Sequence, residues 1–110
     1  MQAEQSNKPK IYIAGKISGE PINKTTMKFG AAHVKFRDMG YIVLNPLEIV
    51  NDWKATWDFA MRKCIAAMMS ADECYFLKDW KESKGATIEH DLALKLKMKI
   101  TYESNGRSKN

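Results

Sequence analysis

The sequence predicts an α/β protein built on one doubly wound, parallel, four-stranded sheet. Three observations carry that expectation. Four short apolar runs alternate with three stripes of helical period. Strands separated by helices imply crossovers, which parallel pairing requires. Glycine, proline or asparagine punctuates most changes of period. The length of 110 residues fits one domain with one modest core.

The first run, Ile11-Tyr12-Ile13-Ala14, is β-branched and aromatic and is stopped by Gly15. Gly15 to Ile22 reads as a loop around Gly19 and Pro21. Asn23 is the expected N-cap of a helix through Met39, with Phe29, Ala32, His33 and Phe36 as its stripe. Gly40 suits the position after that helix, where a left-handed backbone is favoured. Tyr41 to Leu44 forms the second strand, and Asn45-Pro46 opens a loop to about Ala55. Thr56 then caps a helix whose stripe runs Trp57, Ala60, Met61, Cys64, Ile65 and Met68, read as core. Cys74 to Leu77 is the third strand, followed by a polar loop, Lys78 to Lys84, around Trp80. The third helix, about Gly85 to Lys97, is expected to bury Ile88, Leu92, Ala93 and Leu96. Lys99 to Tyr102 closes the sheet.

Crossovers are right-handed in nearly all cases. The simplest sheet is therefore of Rossmann or flavodoxin-like kind, with strand order 2-1-3-4. Ligands of such sheets bind at the carboxyl ends of the strands, between strands 1 and 3. Gly15–Gly19, Asn45-Pro46 and Lys78–Glu89 should converge there. Residues 10–102 make up the domain, and the polar stretches 1–9 and 103–110 are expected to be disordered tails.

Composition excludes several classes. No apolar run approaches the ~20 residues that span a bilayer, so no membrane partner is expected. Met1 to Lys10 lacks the apolar stretch of a signal peptide, which points to a cytoplasmic protein. Cys64 and Cys74 sit within apolar patterns and read as core thiols of a reducing compartment. The formal charge of +5 owes much to Lys8, Lys10, Arg107 and Lys109, near the ends, so nucleic acid is a disfavoured partner. His33 and His90 have no neighbours at metal-ligand spacing, and neither a metal nor a cofactor is implied.

Several residues can carry chemistry. Gly15-Lys16-Ile17-Ser18-Gly19 follows strand 1 and is either a tight turn or an anion cradle with a charge and a hydroxyl. Tyr12 either packs in the core or turns its hydroxyl towards the crevice. Trp53 and Trp80 lie in loops and are candidates for a ligand wall. In Trp80-Lys81-Glu82-Ser83-Lys84-Gly85-Ala86-Thr87-Ile88-Glu89, small residues open a helix and a carboxyl group follows. Glu89 is placed at the edge of the buried stripe, near the crevice. It is either a glutamate favoured by the helix dipole or a working carboxylate.

Lys10-Ile11-Tyr12-Ile13-Ala14-Gly15, Ser70 to Leu77, and Ser83-Lys84-Gly85-Ala86-Thr87-Ile88-Glu89 resemble, in order and spacing, the nucleoside 2-deoxyribosyltransferase superfamily. The chain is similar to its short bacterial and phage relatives, a domain of unknown function. These share Asn-Pro after strand 2 and Trp-x-x-Ser-x-Gly-Ala-x-x-Glu. The resemblance implies cleavage of an N-glycosidic bond in a nucleoside or nucleotide, or 2-deoxyribosyl transfer. Glu89 would be the nucleophile and Tyr12 would hold it. Gly15, Ser18, Asn45, Trp80 and Gly85 would line the substrate, and Lys16, Ser18 and Ser83 would suit a 5′ phosphate. Familiar members carry an aspartate that protonates the leaving base. Here Ser83 falls near that position, and Asp79 is the nearest upstream acid. A non-catalytic module that binds or senses a nucleotide is the alternative, and cleavage of a dinucleotide such as NAD is a more distant one. The resemblance also implies a homo-oligomer, at least a dimer.

Overall fold

The computed structural model describes residues 7–104; the outer parts of both expected tails, 1–6 and 105–110, lie outside the described residues. Its strands β1 (Lys10–Ala14), β2 (Ile42–Leu44), β3 (Glu73–Phe76) and β4 (Lys99–Tyr102) are all parallel, in the order β2-β1-β3-β4. This is the sheet that the alternation of elements predicts.

Side chains alternate across a strand, and β1 uses both faces. Ile11 and Ile13 pack with Phe29, Ala32 and Phe36 of α1 (Ile22–Asp38). Tyr12 and Ala14 pack on the other face, against Cys64 and Met68 of α3 (Trp57–Met69) and Ala86 and Ala93 of α4 (Lys84–Lys95). With helices on both faces, β1 is apolar and buried from Ile11 to Ala14, as parallel strands usually are. Both cysteines are buried and free, and burial raises their thiols, Cys64 to about 11 and Cys74 to about 12.

Several boundaries differ from expectation. α1 starts before Asn23, because Pro21 fixes φ at −58° and its carbonyl accepts from both the Thr25 amide and the Thr25 hydroxyl. Gly40 does follow this helix in the left-handed region, at φ +97°. The stretch after β2 is not all loop: α2 (Pro46–Val50) begins there, with the Asn45 side chain accepting from the Leu47 amide at 3.0 Å. Proline at the first helical position and asparagine before it form a start signal. A 3₁₀ turn, Trp80–Glu82, interrupts the polar loop after β3. The Thr56 and Ser83 side chains cap α3 and α4, accepting from the Phe59 and Ala86 amides.

The largest correction concerns α4. Its buried face is Gly85, Ala86, Glu89 and Ala93, while Ile88 and Leu96 are exposed. Glu89 stands at the centre of the stripe rather than its edge. Lys10 opens β1 and donates its amide to Asp72, and Glu103, read as the start of a tail, is also part of the fold, its amide donating to the Phe76 carbonyl at 2.8 Å. At the amino ends of the strands, buried Glu73 accepts from the Tyr41 and Thr101 hydroxyls and pairs with Lys99. Among the described residues, no helix is long and apolar enough to cross a membrane.

Candidate active site

A crevice of about 500 Å³ lies beside the carboxyl end of β1. Its walls come from the segment leaving β1, from α2 and the loop after it, and from α3 and α4. Two glycines allow these parts to close up. A Cβ on Gly15 would lie 2.6 Å from Cδ1 and 3.0 Å from Cβ of buried Leu77. A Cβ on Gly85 would lie 2.7 Å from the Met61 sulfur, so Gly85 lets α4 approach α3. Both glycines therefore serve packing at the edge of the crevice.

Glu89 reaches the crevice from the second turn of α4 and is only 4% exposed. The Tyr12 hydroxyl, from the middle of β1, donates to Glu89 Oε2 at 2.8 Å. This bond joins residues 77 apart in the chain. Burial pushes the Glu89 carboxyl up from 4.5 to about 7, although the Tyr12 hydrogen bond opposes it by favouring the ionised form. Burial and the neighbouring Glu89 charge hold the Tyr12 phenol well above its usual range. The pair is thus a carboxyl group that can change its charge near neutrality, beside a phenol that keeps its proton.

Seven of the candidate site residues singled out in the sequence line this crevice: Tyr12, Gly15, Ser18, Trp53, Ser83, Gly85 and Glu89. Four lie elsewhere. Lys16 gives its amide to Asp79 and its ammonium to Glu82. Asp79 also pairs with Lys28, which bridges it to Glu20. Burial lowers the Lys28 pKa, but hydrogen bonds to Asp79 and Glu20 outweigh it and leave the ammonium above its usual range. Asn45 is engaged as the α2 cap and sits 3.3 Å from His33 Nδ1. Trp80 stacks on His90, with centroids 4.0 Å apart, and meets Phe76 edge-on.

Sequence reasoning missed other parts of the wall. Trp57, read as core, is 38% exposed and lines the crevice beside Trp53. It occupies the first turn of α3. Glu20 and Asp52 line the crevice from loops, where an isolated acid gives no pattern to detect. Cys64 lines it too, and its part in the α3 stripe concealed that role.

The fold and the crevice together define a Rossmann-like α/β domain with a buried, hydrogen-bonded carboxyl group, Glu89, in the crevice beside the carboxyl end of β1. Residues 9–102 match the model of a family described as a domain of unknown function, DUF4406, and the chain belongs to that family. No curated protein and no solved structure matches the chain.

Proposed function

We propose that the crevice binds a nucleoside and that Glu89 attacks the anomeric carbon of its sugar, releasing the base to water or exchanging it for another. The observation that carries this reading is the Tyr12–Glu89 hydrogen bond inside the crevice. It leaves Glu89 Oε1 without a hydrogen-bond partner among the described residues, and thus available to an electrophilic carbon. A carboxylate nucleophile followed by water is the logic of retaining glycosidases. The spacing that resembles nucleoside 2-deoxyribosyltransferases, Tyr12 and Gly15 on strand 1 with Gly85 and Glu89 on the last helix, supports the same chemistry.

The surroundings favour a nucleoside over its 5′-monophosphate. The Lys16 ammonium, the charge proposed for a phosphate, pairs with Glu82, and Lys28 is engaged by two carboxylates. Ser18 and Ser83 remain as hydroxyls for the sugar. The engagement of Asp79 by Lys28 and the Lys16 amide counts against it as the acid for the leaving base.

That engagement of Asp79 favours one second reading, a binding module without turnover. The test incubates the protein with deoxynucleosides and their monophosphates, with and without an acceptor base, and follows released or exchanged base by chromatography. Release that Glu89→Gln abolishes supports the enzyme. Ligand-induced thermal stabilisation without release supports the binding module. The absence of both release and stabilisation overturns both readings.

A further inference from the structure

The crevice has an unusual charge inventory. Among the described residues, its lining contains three carboxyl groups, Glu20, Asp52 and Glu89, and no lysine, arginine or histidine. The nearby ammonium of Lys28 is consumed by Glu20 and Asp79. The wall also offers an aromatic face. Trp57 already carries a cation, with Lys84 Nζ 4.2 Å from its ring centroid. Trp53, next to Asp52 and 54% exposed, has no ring or cation contact among the described residues. Carboxylates beside an open indole ring form a setting that attracts a flat cation.

A separate observation concerns the leaving group. A neutral base departs with the electron pair of the glycosidic bond and needs a proton to do so. The acid suggested for that task, Asp79, is held in a salt bridge outside the crevice, and Glu20 is held by the same lysine. A base with a fixed positive charge needs no such proton.

Resting on the nucleoside reading above, we infer that the substrate class is a nucleoside whose base is cationic, such as a ribosylpyridinium or an N7-alkylated purine nucleoside. Glu89 Oε1 forms a bond to C1′ as the C1′–N bond breaks. The electron pair passes to the ring nitrogen and cancels its charge, so the base leaves neutral. Water then attacks C1′, Glu89 is released as a carboxylate, and one proton passes to solvent. Asp52 and Trp53 serve recognition of the charge, Glu20 being held by Lys28 and Lys24, and the engagement of Asp79 is no obstacle to turnover.

The test compares full-length protein on matched pairs: nicotinamide riboside against its neutral dihydro form, and 7-methyl-2′-deoxyguanosine against 2′-deoxyguanosine. Binding is measured by calorimetry, and base release is corrected for the spontaneous rate of each compound. The expected result is binding of the cationic member at least about tenfold tighter, with rate-corrected release that Glu89→Gln abolishes. Asp52→Asn should reduce that preference several-fold without a comparable loss of thermal stability. Equal binding of both members, or preference for the neutral one, overturns the inference and leaves the nucleoside reading intact. An unchanged preference in Asp52→Asn overturns the recognition role. Failure to bind or cleave any of the four compounds overturns the nucleoside reading itself.

Discussion

Glu89 shows how a single residue can be set against its surroundings. An ordinary surface glutamate would be ionised throughout the neutral range, whereas burial moves this carboxyl to about 7. In the proposed reaction only the ionised form is a nucleophile, so any turnover should rise with pH through a midpoint near 7, as a pH–rate profile would show. Tyr12→Phe removes the one hydrogen bond that favours the ionised form. It should move that midpoint upward and cost about 1 kcal/mol of stability; a profile that does not move would mean the phenol is only packing. The sequence made this pair legible one residue at a time, through a tyrosine in the first strand and a glutamate early in the last helix. The link between them came only from the resemblance, because it depends on α4 turning Glu89, rather than Ile88, inward.

At the scale of elements, the strands and the larger helices were legible because their periods are clean and short turn residues bound them. α2 was not, although Asn45-Pro46 announced it: five residues are too few to show a period. The rotation of α4 was hidden because Gly85 and Ala86 carry little hydrophobic signal, yet their smallness is what allows that face to lie against α3 and the sheet. The role of Lys28 was equally invisible, since its partners lie in separate loops. That lysine ties the loop after β1 to the turn after β3. Its side chain is 20% exposed, and those of Glu20 and Asp79 are 10% and 20% exposed. Lys28→Met should cost about 2 kcal/mol in denaturant unfolding, between the values for exposed and fully buried pairs. Amide exchange in the loop after β1 should quicken. Gly15→Ala, which drives a methyl group against Leu77, should cost a similar amount, about 2 kcal/mol.

At the scale of the whole molecule, the buried carboxyl makes global stability depend on pH. The folded protein keeps the Glu89 proton up to about pH 7, while the unfolded chain releases it near 4.5. Between those values the native state binds more protons, so this group's contribution to stability falls as pH rises through the window. The loss should total roughly 3 kcal/mol. Glu89→Gln keeps the shape and cannot ionise. Its stability relative to the original protein should therefore grow from about pH 5 to pH 8, and urea titrations at the two pH values would measure the difference. A constant difference would mean that Glu89 has an ordinary carboxyl. The sheet order followed from the alternation of elements and from crossover handedness. The place of the crevice followed from the same topology, but the detail of its walls did not, because they depend on close approaches at Gly15 and Gly85 that no period encodes.

The sheet order has one more consequence. The central pairing, β1 with β3, joins a strand from the first half of the chain to one from the second, and residues 51–54 between the halves are exposed. Tyr12 lies before that stretch and Glu89 after it. A chain cut there would hold the donor on one piece and the acceptor on the other. Under the proposed function, two separately expressed fragments would each be inactive, and any base release on mixing would count correctly zipped sheets, turning the molecule into a complementation reporter with its own readout.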